Sequence, residues 1–285
     1  MKRQFELRWR PWPPERHRGA ARENDLIVAI RGGGHNGAGL AMCDDGMVID
    51  LSLMKGVRFD PSSVTIRAEP GCTQGDVNHL GQSFGVAVPA GVVGTTGIAG
   101  LTLGGGTGYL TRKYGLTIDN LLSVDMVLAD GSFVAANTEE RPDLFWAVRG
   151  GGGNFGIVTS FLYRACPVRE VVGGPMFWDL SDAPEVLEWY ADFMPAASED
   201  LYGFFAFLRA QPGEPFPVYL HGKTLCGIIG AIPALPSVPM LLSNPSEHFA
   251  NRFWKWSGQC PTQRCRACLT LWFLQVCSGI GKGIS

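Results

Sequence analysis

The sequence predicts an α+β protein with a glycine-rich binding region, and three observations support this prediction. Short apolar segments separated by turn signals predict many strands, and stretches with helical spacing lie between some of them. Glycine is concentrated between Gly32 and Gly156 in three bursts, at residues 31–37, 91–108 and 150–153, each at the boundary of a predicted strand. The chain has 38 glycines among 285 residues, well above the average usage of about 7%, and the bursts hold the excess.

Each predicted element rests on periodicity and on the signals at its ends. Asp45-Gly46 is a hairpin signal before the second strand, and Asp60-Pro61-Ser62 supplies a turn between the third and fourth. Thr73 can cap the first helix, and Pro142 suits the first turn of the second. We expect strands at residues 26–30, 47–51, 57–60, 64–68, 86–88, 120–128, 132–135, 156–163, 201–208 and 218–229, and helices at 73–85, 142–148 and 183–194.

Composition and charge disfavour several classes of function. A net charge of −2 argues against a nucleic-acid partner, which requires a basic excess. The sequence has no run of about 20 apolar residues and no apolar signal-peptide core near its start, so we expect no membrane span and a cytoplasmic location. Four scattered cysteines are expected to be reduced and mostly buried: Cys43, Cys72, Cys166 and Cys226.

The first glycine burst, residues 31–37, directly follows an apolar strand and contains one histidine. Glycines let successive backbone N–H groups approach a ligand, and such groups can form a concave anion site. His35 adds a nucleophilic ring nitrogen beside that site. The pattern predicts a phosphate-bearing cofactor held by backbone groups, and it allows a covalent bond to the histidine.

Two segments match Gly-x-Gly-x-x-Gly, at residues 32–37 and 151–156, but neither has the context of a Rossmann fingerprint. The first has a strand before it and no helix after it, and the second has a helix before it and a strand after it. The sequence contains no Walker A motif. A purely structural alternative remains open, in which all three bursts are turns of a strand-rich domain.

Three motifs taken together resemble one family. They are Arg31-Gly-Gly-Gly-His35-Asn36, the glycine-rich stretch 91–120 and the stretch 143–159. In this order they resemble the PCMH-type FAD-binding domain of the vanillyl-alcohol oxidase superfamily, within its berberine bridge enzyme-like and 6-hydroxy-D-nicotine oxidase-like branch. The resemblance runs from about residue 21 to residue 167 and continues weakly to about residue 227.

The resemblance implies an FAD-dependent oxidoreductase, an oxidase that accepts hydride from a C–H beside an alcohol or amine. It implies a small-molecule substrate, molecular oxygen as electron acceptor, and a covalent link between His35 and the flavin 8α-methyl group. No cysteine for a second link occurs in residues 93–103. The implied cofactor-binding residues are Arg31, Gly32, Gly33, Gly34, His35, Asn36, Gly37, Gly94, Thr95, Thr96, Gly97, Gly100, Gly104, Gly105, Gly106, Gly108, Asp119, Gly156, Ile157 and Val158.

No catalytic base is evident. Tyr114 and Lys113 follow the second glycine burst and are candidates, with structural roles as the alternative. The chain also departs from the family, because residues 1–20 lack the family's strand–helix unit and no Tyr-x-Asn pattern is present. We expect that the sequence is truncated or read out of frame at both ends.

The predicted organisation has four parts. Residues 1–20 form an irregular segment, 21–168 the FAD-binding domain, 169–229 a partial α+β substrate domain, and 230–285 an irregular tail. Two alternatives to an active oxidase stay open. One is a catalytically incomplete flavin-binding remnant, and the other is a metal-binding protein that uses Cys260, Cys265, Cys268 and Cys277. No metal site is predicted elsewhere.

Overall fold

The structure is a computed structural model that describes residues 5–8, 21, 23–168, 171–213, 216 and 218–233. The described residues fall into two compact units, one ending at Val168 and the other starting at Val171. The predicted boundaries of the four segments stay predictions. No helix within the described ranges is both long enough and apolar enough to cross a membrane.

The first unit contains ten strands and four α-helices among its described residues. The strands are β1 (Phe5–Arg8), β2 (Val28–Arg31), β3 (Met47–Asp50), β4 (Val57–Asp60), β5 (Thr65–Ala68), β6 (Val86–Ala87), β7 (Leu121–Val127), β8 (Phe133–Asn137), β9 (Ile157–Arg164) and β10 (Cys166–Pro167). The helices are α1 (Gln74–Phe84), α2 (Ile98–Leu103), α3 (Thr111–Tyr114) and α4 (Pro142–Val148).

A three-stranded parallel sheet, in the order β1-β3-β2, corrects two predictions. The segment 1–20 was predicted to be irregular, but Phe5–Arg8 pairs with β3. Asp45-Gly46 was predicted to close a hairpin, but β2 and β3 run parallel, so residues 32–46 form a crossover. The turn signal is locally right, since Asp45 has a φ of +50°, but a local signal does not specify which strands pair.

A five-stranded antiparallel sheet, in the order β4-β5-β9-β7-β8, forms the centre of the first unit. The predicted hairpins β4–β5 and β7–β8 are confirmed. One face of this sheet carries Ile66, Met126 and Phe161, which are fully buried against α1 and α4. A short sheet of β6 and β10 completes the unit. The apolar face therefore fixes the sheet and its helices as one core.

The predicted helix at 73–85 is confirmed as α1, which begins with a capping box. Asp76 N–H donates to Thr73 Oγ1 at 3.3 Å, and Thr73 N–H donates to Asp76 Oδ2 at 2.8 Å. Burial opposes ionisation of Asp76, but the hydrogen bonds from Thr73 and the nearby Lys55 ammonium lower the pKa of its carboxyl. Gly85 ends the helix in the left-handed region, with a φ of +67°.

The second unit is a three-stranded antiparallel sheet with one helix. Its elements are β11 (Val171–Asp179), α5 (Ala183–Ala196), β12 (Tyr202–Arg209) and β13 (Thr224–Pro233), with the strand order β11-β13-β12. Val186 of α5 packs with Trp178 and Ile228 of the sheet. The predicted helix and hairpin are confirmed, although β13 begins later than predicted and extends into the segment predicted to be irregular.

The strands and helices that were not predicted are β1, α2, α3, β10 and β11. β11 contains Gly173, Gly174 and Pro175, which interrupt a strand pattern, but it is an edge strand, where proline is tolerated. α2 lies inside the second glycine burst, where residue type argues against a helix. The expected buried thiols are present at Cys72, Cys166 and Cys226, and burial raises the pKa of Cys72 to about 11.

Val64 provides a test of backbone strain in the β4–β5 turn. Its φ of +52° places a β-branched residue in the left-handed region, and its side chain is 42% exposed. We expect Val64→Asn to raise the free energy of unfolding by about 1 kcal/mol, because asparagine tolerates this conformation. Urea unfolding measures the effect. Val92→Asn is the matched control, since Val92 is also 42% exposed and its φ is not positive. A destabilised Val64→Asn protein would contradict the assignment of strain.

Candidate functional site

The first predicted loop, residues 32–37, leaves the end of β2 without regular structure. Asn36 Oδ1 accepts hydrogen bonds from the N–H groups of Ala38 and Leu40 at 3.0 and 3.2 Å, which orders the end of the loop. Within the part of the chain that the structure describes, the backbone N–H groups of residues 32–37 donate no hydrogen bond. A row of N–H groups without protein acceptors can bind an anion.

His35 lies in this loop with its side chain exposed. Among the described residues its imidazole makes no hydrogen bond or ion pair. Within the described residues the ring has no protein partner, so it can contact a bound group.

The first and second glycine bursts meet backbone to backbone. A Cβ atom on Gly97 would lie 2.6 Å from Cα of Gly33, which is too close for any side chain. The segment 94–97 is fixed in turn by the start of α1, because Gln74 N–H donates to Thr96 O at 2.8 Å and Gly75 N–H donates to Gly94 O at 2.7 Å. Glycine at positions 33 and 97 is thus required for the two loops to touch.

The end of the second burst is held by the segment that follows it. Thr117 N–H donates to Gly106 O and Ile118 N–H to Gly105 O, both at 3.0 Å. Gly106 has a φ of +76° and packs against the Thr117 side chain. Gly104 ends α2, and a side chain on Gly108 would overlap the carbonyl of Ala90. Packing and backbone conformation within the protein therefore account for glycine at these positions.

The third burst joins the second at the end of α2. Gly150 N–H donates to Leu103 O at 3.1 Å, and Asn154 Nδ2 donates to Gly151 O at 2.8 Å. Gly156 leads into β9, where the side chains of Ile157 and Val158 are buried. One edge of β9 pairs with β7, and on the other edge β5 reaches only Phe161–Arg164. On that second edge, Ile157 and Val158 therefore have no partner among the described strands.

Three of the predicted cofactor-binding glycines have open space where a side chain would go. A Cβ atom on Gly37, Gly94 or Gly100 would meet no protein atom within 4 Å. Packing within the described chain gives no reason for glycine there, in contrast to positions 33, 97 and 108. Among the predicted cofactor-binding glycines, these three leave space next to the backbone.

Asp119 and the two candidate bases have partners within the protein. Asp119 Oδ2 accepts from Leu116 N–H at 2.9 Å, and its Oδ1 lies 3.7 Å from Arg149 Nη2. Tyr114 donates its hydroxyl to Pro167 O at 3.2 Å, which ties α3 to β10. Lys113 Nζ lies 5.4 Å from the centre of the Tyr114 ring. These contacts give each residue a structural task, and the roles that the resemblance or the sequence position suggested stay predictions.

A small cavity lies beneath the second burst and is lined by Gln74, Leu101, Thr102, Thr117 and Tyr163, among others. Thr102 Oγ1 and the Tyr163 hydroxyl are 2.7 Å apart and hydrogen bonded, and burial strongly raises the pKa of Tyr163. Within the described structure, Gln74 Oε1 and Thr117 Oγ1 are buried without a hydrogen-bond partner. The same cavity thus holds one satisfied and one unsatisfied threonine hydroxyl.

This contrast allows one substitution to be tested at two places. Thr117→Val removes an unpaired buried hydroxyl, so we expect the free energy of unfolding to stay the same or to rise by about 1 kcal/mol. Thr102→Val leaves the Tyr163 hydroxyl buried and unpaired, so we expect a loss of about 1–3 kcal/mol. Urea unfolding compares the two variants with wild type. Equal destabilisation by both would show that Thr117 Oγ1 has a partner in solution.

The sequence did not single out Asp50. This residue ends β3 directly beside Arg31 in the parallel register, and Arg31 Nη1 lies 3.4 Å from its Oδ2. A signal was available, since a carboxylate at the end of an apolar strand requires a partner. The partner was hidden because Asp45-Gly46 suggested a hairpin, which would have paired the two strands differently.

Comparison with known proteins gives a family match that includes the first two glycine bursts. Residues 19–137 match a family described as FAD binding domain. The match covers less than half of the chain and contains the first two of the three motifs. The resemblance inferred from the three motifs and the predicted fold class are thereby confirmed.

Curated proteins similar to this chain include FAD-linked oxidoreductases. The chain is 38% identical over 186 residues to the FAD-linked oxidoreductase YgaK of Bacillus subtilis, a match that covers 64% of this chain and 41% of that protein. It is 40% identical over 167 residues to (R)-6-hydroxynicotine oxidase of Paenarthrobacter nicotinovorans, covering 58% of this chain and 36% of the relative. The chain therefore spans less than half the length of these two curated relatives.

A solved structure shows the same relation in three dimensions. The 6-hydroxy-D-nicotine oxidase of Arthrobacter nicotinovorans matches with a TM-score of 0.69 and 31% sequence identity. The match covers 78% of this chain and 48% of the oxidase.

The residues of the matched segment fit the cofactor that the family description implies. The pyrophosphate of FAD is anionic, and the exposed loop 32–37 offers backbone N–H groups without protein acceptors. The open positions over Gly94 and Gly100 leave room beside that loop. Binding through backbone groups also suits a chain with a net charge of −2.

Proposed function

We propose that the protein is an FAD-dependent oxidoreductase that acts as an oxidase, taking hydride from a C–H beside an alcohol or amine of a small molecule. The single observation that carries the proposal is the meeting of loop 32–37 with segment 94–97 at Gly33 and Gly97, with N–H groups and open space beside the contact. FAD, when bound, supplies hydride acceptance. Molecular oxygen is the proposed electron acceptor, in keeping with the relative named an oxidase.

The residues of this chain have separate proposed tasks in that reaction. Backbone N–H groups of residues 32–37 bind the pyrophosphate, and Gly94 and Gly100 give the cofactor access to the backbone. The unpaired edge of β9 at Ile157 and Val158 meets the ribose and adenine through main-chain groups. His35 provides the covalent attachment. The exposure of its imidazole and the lack of a partner for it among the described residues support this role.

A second candidate function is a flavin-binding protein without turnover. The observation that favours it is that the two candidate bases, Tyr114 and Lys113, make contacts within the protein, and no other base has been identified among the described residues. The absorption spectrum of the purified chain, recorded anaerobically with a panel of alcohols, amines and sugars, separates the two. Bleaching by a member of the panel supports the oxidase, and flavin colour that no member bleaches supports the second candidate.

The open positions give the first test of cofactor binding. Gly100 lies on α2 with no protein atom near its would-be Cβ, so we expect Gly100→Ala to fold with unchanged or slightly higher stability. The added methyl would occupy space proposed for the cofactor, so the Kd for FAD should rise roughly tenfold. Fluorescence titration of the flavin-free chain with FAD measures this.

Gly97→Ala is the matched variant for that test. Its methyl would meet Gly33 instead of open space, so we expect a lowered melting temperature as well as weakened FAD binding. If Gly100→Ala binds FAD as tightly as wild type, the cofactor does not lie over α2 as proposed.

His35→Ala tests the covalent link. We expect the variant to bind FAD reversibly and to release all flavin into the supernatant on acid precipitation, whereas wild type keeps its colour in the pellet. His79→Ala is the control, because His79 is an exposed histidine on α1, outside the loop. Flavin that stays attached to His35→Ala would show that another residue carries the bond.

A further inference from the structure

Arg31 and Asp50 form an ion pair at the base of the cofactor loop. They end the adjacent parallel strands β2 and β3 in direct register, and Arg31 Nη1 lies 3.4 Å from Asp50 Oδ2. The Asp50 side chain is only 6% exposed, while that of Arg31 is 41% exposed. A carboxylate this deeply buried requires compensation, and Arg31 is the one cation paired with it within the described chain.

The second Asp50 oxygen is also engaged. Ser52 N–H donates to Asp50 Oδ1 at 2.9 Å, and Leu51 N–H donates to Arg31 O at 2.8 Å. Both ends of the pair are therefore fixed to the backbone that follows β3. The Arg31 guanidinium is thus held by a carboxylate that is itself hydrogen bonded to this backbone.

The Arg31 guanidinium lies directly against the loop that it precedes. A Cβ atom on Gly34 would be 3.2 Å from Arg31 Nε and 3.5 Å from Nη2. Gly34 has a φ of +68°, so its backbone turns over the planar guanidinium in a conformation that glycine adopts readily. The next residue is His35, so the position of the imidazole depends on this contact.

The charges separate two roles for Arg31. A direct phosphate ligand needs its positive charge available, but here Asp50 already neutralises it. We propose that Arg31 and Asp50 are positioning residues, in which the paired guanidinium supports the loop at Gly34 and so aligns the backbone N–H groups and His35. This inference rests on the proposed function, in which the loop binds FAD. It revises the role implied for Arg31, from cofactor contact to support of the loop.

Asp50→Asn tests the proposal because the two roles predict opposite signs. If Arg31 contacts phosphate, removing the carboxylate frees its charge and FAD binds as well as before or more tightly. If the pair positions the loop, FAD binds roughly tenfold more weakly, in the range typical of coupled neighbours. The measurement is fluorescence titration of the flavin-free full chain with FAD. Tighter or unchanged binding by Asp50→Asn would overturn the proposal.

A second readout separates positioning from general destabilisation. At saturating FAD, the fraction of flavin retained after acid precipitation reports how well His35 is aligned. We expect attachment in Asp50→Asn to be several-fold slower than in wild type, although the cofactor site is full. Attachment at the wild-type rate would count against the proposal.

Arg31→Lys guards against failure to fold, because it keeps a cation beside the buried carboxylate. Lysine lacks the planar guanidinium that lies against Gly34, so we expect an intact melting temperature with weaker FAD binding and slower attachment. Arg31→Met combined with Asp50→Asn should weaken FAD binding no more than the more damaging of these two substitutions does alone, because the two residues act as a unit. Additive losses would mean that they act independently and would refute the pair.

The two proposals fail in distinguishable ways. A wild-type chain that binds no FAD would refute the proposed function, and this inference with it. A wild-type chain that binds FAD, together with Asp50→Asn and Arg31→Lys variants that bind and attach it equally well, would refute the positioning pair alone.

Discussion

Gly33 and Gly97 approach each other so closely that no side chain fits between their backbones, and the geometry of the candidate site depends on this contact. It brings the crossover that follows β2 against the segment that precedes α2. Hydrogen bonds from the start of α1 fix that segment. A hydrogen bond from Gly150 to the end of α2 then places the third burst in the same region. Residues that are far apart in sequence thus converge through main-chain contacts, which tolerate little change in residue type.

The glycines of the site fall into two physical groups that sequence alone could not separate. At positions 97 and 108 a side chain would collide with the protein's own backbone, whereas at positions 94 and 100 it would enter open space. Both groups look identical in a motif. Packing explains the first group, and for the second we propose a ligand that comes close to the backbone.

Much of the fold could be predicted from local signals. Periodicity and turn residues predict the capped helix α1, the helix α4 and the two hairpins of the central sheet. The stabilising contacts of these elements lie close in sequence. The parallel pairing of β2 with β3 could not be predicted in this way, because Asp45-Gly46 specifies a turn and not the strand that pairs. The same limit hid Asp50, whose partner is adjacent only in that pairing.

Residue type misled the prediction where tertiary packing overrides propensity. α2 is a helix in a glycine-rich segment because Ile98 and Leu103 are buried in the main core. β11 accepts Pro175 because it lies at the edge of its sheet. For the site, the three motifs identified the converging loops, but open space and charge pairing are properties of the folded chain and are not encoded in any single motif.

The hydrogen bonds between the start of α1 and the segment 94–97 affect more than the position of that segment. The N–H groups of Gln74 and Gly75 lie at the positive end of the helix dipole, and they donate to the carbonyls of Thr96 and Gly94. Each of those carbonyls shares its peptide unit with the next N–H group, that of Gly97 or Thr95. Donation to one end of a peptide polarises the whole unit and makes its N–H a stronger donor. Part of the electrostatic field of α1 is thereby relayed through two peptide planes to the side of the segment that faces away from the helix.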